Sequence, residues 1–111
     1  MTENFKQLTR RAEPVVEIME RCEGQIGLCT DFGNFKGEHK MDDLARVLPY
    51  ADSIHTKADY EDGVMLKDEF RQCLELTRKA DFKGYFTLIF QDPGEEWAYL
   101  NNLKKEVVPY L

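Results

Sequence analysis

The hydrophobic positions of the chain repeat with helical spacing in four separate segments. In the first, apolar side chains at positions 15, 18, 19 and 22 follow Pro14, which suits the first turn of a helix because no backbone N–H is needed there. Gly24 is placed to end this helix. The other predicted helices span residues 42–48 and 67–80 and a final segment that begins at Pro93.

The final helix carries the sequence signature of a capping box. Asp92 is the expected cap, Pro93 takes the first helical position and Glu95 bonds back to the cap. The predicted buried side of this helix consists of Trp97, Leu100, Leu103 and Val107 or Val108.

Three short apolar runs separate the helices and predict β-strands. They are residues 26–30, 53–56 and 86–90, and the intervening segments 31–40 and 59–63 are polar or glycine-rich and predict loops. Strands that alternate with helices indicate an α/β fold with a parallel sheet, and right-handed crossovers place the helices on one face if the strands add sequentially in one direction. Because the strands are apolar, we expect the other face to need cover from a partner or a further part of the fold.

Length and charge narrow the class of protein. The 111 residues suit one domain, and 15 Lys+Arg against 21 Asp+Glu give a net charge of −6, which disfavours a nucleic-acid surface. No apolar run approaches the roughly 20 residues of a membrane span, and no signal-peptide segment is found, so we expect no membrane association. Cys22, Cys29 and Cys73 form no CxxC pair and are interpreted as reduced, small apolar residues. These features predict a cytoplasmic protein.

Polar residues follow the predicted strands, where parallel α/β folds collect functional groups. Asp31 and Asn34 follow the first strand, and His55 and Lys57 lie at the end of the second. Asp31 and His55 can both bind a divalent cation, although a turn aspartate and a structural histidine are the alternatives. Lys57 can serve as a Schiff-base lysine, as a phosphate anchor or as a solvated side chain. No glycine-rich nucleotide motif and no nucleophile–base pattern is found in the sequence.

Four blocks of sequence, taken in order, resemble the sugar phosphate isomerase/epimerase family of the xylose isomerase-like TIM-barrel superfamily. The blocks are TDFGNF at 30–35, LPYADSIHTK at 48–57, FKGYF at 82–86 and PGEEW at 93–97. The resemblance implies the C-terminal segment of a (βα)8 TIM barrel, with three parallel strands and four helices. Residues 1–111 then form a single partial domain without the N-terminal half, because a complete TIM barrel has roughly 250 residues.

The resemblance also implies a metal site. The family binds a divalent cation through Glu, Asp, His and Glu, and Glu3, Asp31 and His55 match the first three. Glu3 would also be catalytic, on a strand expected to lie upstream of Met1. The last glutamate aligns with Ile89, which can neither bind a cation nor carry a proton.

In that family, a Mn, Co, Mg or Zn ion polarises the oxygens of the sugar and stabilises an enediolate, while two glutamates move protons. Asn34 and Lys57 are the implied substrate-binding residues, and the implied substrate is a small sugar or sugar phosphate. Because Ile89 replaces one glutamate, we expect activity of this chain alone to be impaired or absent.

Two hypotheses for the function stay open. In the first, the chain is part of a metal-dependent sugar isomerase or epimerase and needs a complementing half-barrel for activity. In the second, it is a non-catalytic half-barrel that forms a homo-oligomer or binds a protein partner. A carbohydrate-binding protein without catalysis is a third alternative, supported only by the implied site.

Overall fold

The computed structural model describes residues 1–90 and 94–111. Four α-helices and six β-strands are formed by these residues. The strands are β1 (Thr2–Glu3), β2 (Leu28–Asp31), β3 (Ala51–Lys57), β4 (Tyr60–Glu61), β5 (Val64–Met65) and β6 (Tyr85–Ile89). The helices are α1 (Ala12–Cys22), α2 (Lys40–Val47), α3 (Lys67–Lys79) and α4 (Glu96–Val107), and 3-10 turns follow α2 (Leu48–Tyr50) and α4 (Val108–Tyr110).

Four strands form a parallel sheet in the order β1-β2-β3-β6. The predicted parallel α/β sheet is confirmed, with one strand more than the sequence indicated. The added strand, Thr2–Glu3, pairs with residues 28–29, so the strand expected upstream of Met1 lies inside the chain. The loop predicted at 59–63 is wrong in part, because β4 and β5 form an antiparallel hairpin around it.

The helices cover one face of the parallel sheet, and the other face is partly open along β3 and β6 but buried along β2. Along β3, Ile54 and Thr56 are fully buried on the helix side, whereas Ser53, His55 and Lys57 alternate with them and stay half-buried. Right-handed crossovers between successive strands produce this one-sided arrangement. The expectation that the uncovered face is apolar is wrong for β3, because polar side chains occupy its open side.

The hydrophobic core lies between the sheet and the helices. Each helix contributes a fully buried residue, namely Val15 of α1, Leu44 of α2, Leu74 of α3 and Leu103 of α4. Val15 and Leu103 belong to the apolar positions predicted for the first and the last helix and confirm them. Trp97 corrects the prediction for α4, because its side chain is 80% exposed and lies outside the core.

Helix α1 begins two residues before the predicted start at Pro14 because α2 caps it. The Asp43 carboxylate accepts a hydrogen bond from the backbone N–H of Ala12 (3.2 Å) and another from Nε of Arg11 (2.7 Å). A carboxylate beside the first turn satisfies a free helical N–H and favours the positive end of the helix dipole. The cap is thus supplied by a residue 31 positions away, which local sequence signals do not reveal.

Helix α4 begins later than the predicted capping box. Its first residue is Glu96, and Glu95 at the N-cap position makes no side-chain capping hydrogen bond. The predicted cap Asp92 and first-turn Pro93 lie outside the described residues. Among the described helices, none is both long enough and apolar enough to cross a bilayer.

A buried lysine ties together the segments that follow β2 and β3. Nζ of Lys40, the first residue of α2, donates to Asp59 (2.9 Å) and to Glu69 of α3. Burial alone would lower the pKa of Lys40, but the bonds to Glu69 and Asp59 outweigh burial and raise it. For Asp59 the two effects have the opposite signs: burial alone would raise its pKa, but the hydrogen bonds from Lys36 and Lys40 outweigh burial and lower it. This charged cluster holds the loops beside the open face in place.

Candidate functional site

Three residues from the carboxyl ends of neighbouring strands meet on the open face of the sheet. Glu3 ends β1, Asp31 ends β2, and His55 lies two residues before the end of β3. Oε1 of Glu3 is 3.5 Å from Nδ1 of His55, and Oδ2 of Asp31 is 3.7 Å from the same nitrogen. The structure therefore brings together the three residues assigned to metal binding.

Asp31 is held rigidly by bonds to its backbone and its side chain. The Asn4 side chain donates to the backbone oxygen of Asp31 (2.9 Å) and accepts from its N–H (2.7 Å), and all three groups are buried. Oδ1 of Asp31 accepts from the N–H of Gly33 (2.8 Å), which leaves Oδ2 directed towards His55. Thr9 donates to the backbone oxygen of Glu3 (2.9 Å) and so anchors the end of β1.

Asn34 and Lys57 form a polar chain beside this cluster. Nζ of Lys57 donates to Oδ1 of Asn34 (2.8 Å), and Nδ2 of Asn34 donates to Oε1 of Glu3 (3.2 Å). Lys57 is also 3.7 Å from Oδ2 of Asp31. A Cβ at position 33 would overlap with the Lys57 side chain, so Gly33 provides the space that Lys57 fills. Both residues assigned to substrate binding thus touch the acidic cluster.

Cys29 belongs to the same cluster and was missed at the sequence level. One ligand atom from each of Glu3, Cys29 and His55 lies within 4.8 Å of the other two. Burial raises the pKa of the Cys29 thiol, a hydrogen bond with Ser53 opposes this, and the charges of Glu3 and Asp31 raise the pKa further. The sequence signal is the spacing of two between Cys29 and Asp31, which places both on one face of a strand, but the strand register is needed to show which face that is.

Ile89 lies where the fourth metal ligand was aligned. It pairs with Lys57 in the sheet and lines a cavity of about 220 Å³ together with Glu3, Asp31 and His55. The cavity adjoins a cleft of about 500 Å³, whose lining includes Lys6, Lys36 and Lys57. The position next to the cluster is therefore apolar, and the adjoining space is rich in lysine.

The donor atoms of this cluster suit a divalent cation. Carboxylate, imidazole and thiol side chains bind such ions at about 2.0–2.3 Å, so a single ion can bridge the spacing of Glu3, Cys29 and His55 after small side-chain movements. His39, the second histidine of the chain, is exposed beside Glu38 and takes no part in the cluster.

Compared with models of known protein families and with curated proteins, the chain matches none of them. The functional inference therefore depends on the geometry of the cluster and on the sequence blocks that surround it.

Proposed function

We propose that the chain forms half of a (βα)8 barrel of the xylose isomerase-like sugar isomerase/epimerase type, with a divalent cation held by Glu3, Asp31 and His55. The observation that carries this proposal is the convergence of the three side chains at the carboxyl ends of adjacent parallel strands. Active sites of α/β barrels lie at this end of the sheet. The ion is manganese, cobalt, magnesium or zinc.

A cation at this position supplies positive charge to the carbonyl and hydroxyl oxygens of a bound sugar. Glu3, beside it, is the group that takes a proton from a sugar carbon. Returning a proton to the opposite side requires a second carboxylate, and Ile89 occupies the aligned position. The chain by itself is then impaired, and it binds the sugar more readily than it epimerises it.

Asn34 and Lys57 orient the substrate in this proposal. Both line the small cavity beside the cluster and the larger cleft that adjoins it. In this cleft Lys36 is paired with Asp59 and Lys57 with Asn34, so an anionic group of the substrate has to compete with these partners, and a sugar phosphate and a small neutral sugar are both candidate substrates. Three free cysteines, at positions 22, 29 and 73, suit a reducing compartment such as the cytoplasm.

Calorimetric titration with Mn²⁺, Co²⁺ and Zn²⁺ tests the cation site. We expect the wild-type chain to bind one ion, Asp31→Ala and His55→Ala to weaken binding, and the control His39→Ala to leave it unchanged. No binding by the wild type, or equal binding by all three variants, contradicts the proposal.

Ile89→Glu is expected to tighten binding because it adds a carboxylate next to the cluster, and an unchanged affinity contradicts the alignment of this position.

A second candidate function, self-association, is supported by the open sheet. Strands β1 and β6 are the edges of a four-stranded parallel sheet, which has half of the eight strands of a closed barrel. A twofold axis can join β6 of one copy to β1 of the other and close eight strands without a free edge. Tyr85 on the open side of β6 is 83% exposed and would be covered by the second copy.

Size-exclusion chromatography with light scattering tests self-association. We expect a dimer for the wild type and a monomer for Tyr85→Asp, which places a charge inside the closed barrel. Val64→Asp is the matched control, because Val64 is an exposed apolar residue on the separate hairpin. A monomeric wild type, or equal dissociation by both variants, contradicts this function.

A further inference from the structure

We infer that Cys29 is a ligand of the proposed cation, which makes the site a mixed sulfur, nitrogen and oxygen centre that selects zinc. This inference rests on the proposed cation site and adds the identity of the metal. Among the described residues, the group with metal-binding spacing is Glu3, Cys29 and His55. Neither the sequence blocks nor their implied ligand order assigns a role to Cys29.

The strand register explains why Cys29 lies in the cluster. Cys29 pairs with Glu3 of β1 on one side and with Ser53 of β3 on the other. Residues that pair across a sheet point to the same face, and so do residues two apart on one strand. Cys29, Asp31 and His55 therefore share the open face, and Glu3 joins them from β1.

Three ligand atoms, from Glu3, Cys29 and His55, have metal-binding spacing, and a fourth donor lies nearby. Zinc binds thiolate sulfur at about 2.3 Å and nitrogen or oxygen at about 2.0–2.2 Å, usually with four ligands. Oδ2 of Asp31 is 3.7 Å from Nδ1 of His55 but does not belong to the group of atoms within 4.8 Å of one another, so it becomes the fourth donor after a side-chain movement, while Oδ1 stays bonded to the N–H of Gly33. On binding, the Cys29 S–H bond breaks, its proton passes to the solvent and a sulfur–metal bond forms.

The charges around the site are compatible with the same assignment. Two carboxylates and one thiolate carry three negative charges, one more than a divalent cation neutralises. Nζ of Lys57 lies 3.7 Å from Oδ2 of Asp31 and supplies the remaining positive charge. Thiolate ligands favour zinc and related soft ions, whereas Mg²⁺ and Mn²⁺ favour oxygen ligands. The site is thus expected to bind Zn²⁺ more tightly than Mn²⁺.

Cobalt spectroscopy on the full chain tests the role of Cys29, because a cobalt–thiolate bond gives a charge-transfer absorption in the near ultraviolet. We expect this band for the wild type and for the control Cys22→Ser, and no band for Cys29→Ser, which keeps a hydroxyl beside Ser53. In calorimetry, Cys29→Ser should weaken Zn²⁺ binding by about tenfold or more, because loss of even a residue that only supports a metal ligand weakens metal affinity by about tenfold. The same substitution should change Mn²⁺ binding much less.

The outcomes separate this inference from the cation site itself. Cobalt binding by the wild type without the charge-transfer band, or an unchanged band in Cys29→Ser, overturns the role of Cys29. In either case the proposed cation site is retained if His55→Ala abolishes cobalt binding. Absence of any cation binding by the folded wild type overturns both. Circular dichroism of each variant establishes that it is folded.

Discussion

The side chain of Asn4 and the backbone of Asp31 exchange two hydrogen bonds, of 2.9 and 2.7 Å, in a fully buried setting. The Asn4 amide thereby pairs with β2 as a further strand residue would. Strand β1 has only two residues, so this side chain extends the contact between the first two strands. It also fixes the residue after Glu3 against Asp31, which couples the fold to the candidate site.

Asn4→Asp is expected to destabilise the protein and to weaken the cation site. The substitution removes the donor to the Asp31 carbonyl and places two oxygens against each other, at a cost of about 1–3 kcal/mol in the free energy of unfolding. Urea unfolding followed by circular dichroism measures this effect. Asn101→Asp, at an exposed position of α4, is the matched control, and an equal effect of both variants would refute the bridging role.

Thr30→Val and Thr56→Val are expected to change stability in opposite directions. Both threonines are fully buried on adjacent strands, but Oγ1 of Thr30 has no hydrogen-bond partner among the described residues. Oγ1 of Thr56 donates to the backbone oxygen of Thr87 (2.9 Å). Valine has nearly the same shape as threonine. Thr30→Val removes an unpaired hydroxyl and is expected to raise the free energy of unfolding by roughly 1 kcal/mol, whereas Thr56→Val removes a hydrogen bond and is expected to lower it by roughly the same amount. A loss of stability in both variants contradicts this account.

Gly84→Ala is expected to destabilise the protein by steric overlap alone. A Cβ at position 84 would collide with the backbone oxygen of Asp52 in β3, and backbone cannot move aside as a flexible side chain can. Overpacking of this kind costs about 1–3 kcal/mol or more.

Gly37→Ala is the comparison for this prediction, because position 37 has open space but a φ of +79°. Its expected cost is about 1–2 kcal/mol and comes from the backbone conformation alone. Thermal unfolding of both variants checks which one is less stable. A smaller loss of stability for Gly84→Ala than for Gly37→Ala contradicts the collision with Asp52.

Alkaline conditions are expected to destabilise the protein through Cys73. Burial raises the pKa of this thiol from 9.0 to about 12, the charge of Lys40 opposes the rise, and the charges of Glu69 and Asp59 add to it. Because the folded pKa is the higher one, the stabilisation is complete below pH 9 and declines as the pH rises towards 12.

The Cys73 contribution can be isolated by its slope against pH. The difference in unfolding free energy between wild type and Cys73→Ala should shrink above pH 9 by up to about 1.4 kcal/mol per pH unit. Denaturant titrations at several pH values measure this difference. Cys22→Ala serves as the control, and a pH-independent difference for Cys73→Ala contradicts the assignment.

The sequence predicted the features that depend on local periodicity, and it failed where distant residues decide. The strand at 86–90 and the helix at 67–80 were located within one residue of Tyr85–Ile89 and Lys67–Lys79, because their apolar spacing is strong. The start of α1 was missed because its cap, Asp43, comes from another helix. Strand β1 was missed because two residues carry no periodicity.

For the site, the order of polar residues after strands was sufficient to single out Asp31 and His55 as candidates. Cys29 was missed because a cysteine within an apolar run has the composition of a core residue, and only the strand register shows which face it occupies. The resemblance supplied Glu3, and the structure places its carboxylate 3.5 Å from His55.

The two ends of the parallel sheet carry different kinds of contact. At the amino ends, the Asp52 carboxylate accepts a hydrogen bond from the N–H of Leu28 (2.9 Å), and Gly84 packs against the Asp52 backbone. At the carboxyl ends, the side chains face a cavity and one another. A search for new ligand specificity in the loops after β2 and β3 therefore has to keep the buried Phe32, Phe35 and Lys40 and vary the exposed positions between them, whereas diversity around Asp52 would mostly yield chains that do not fold.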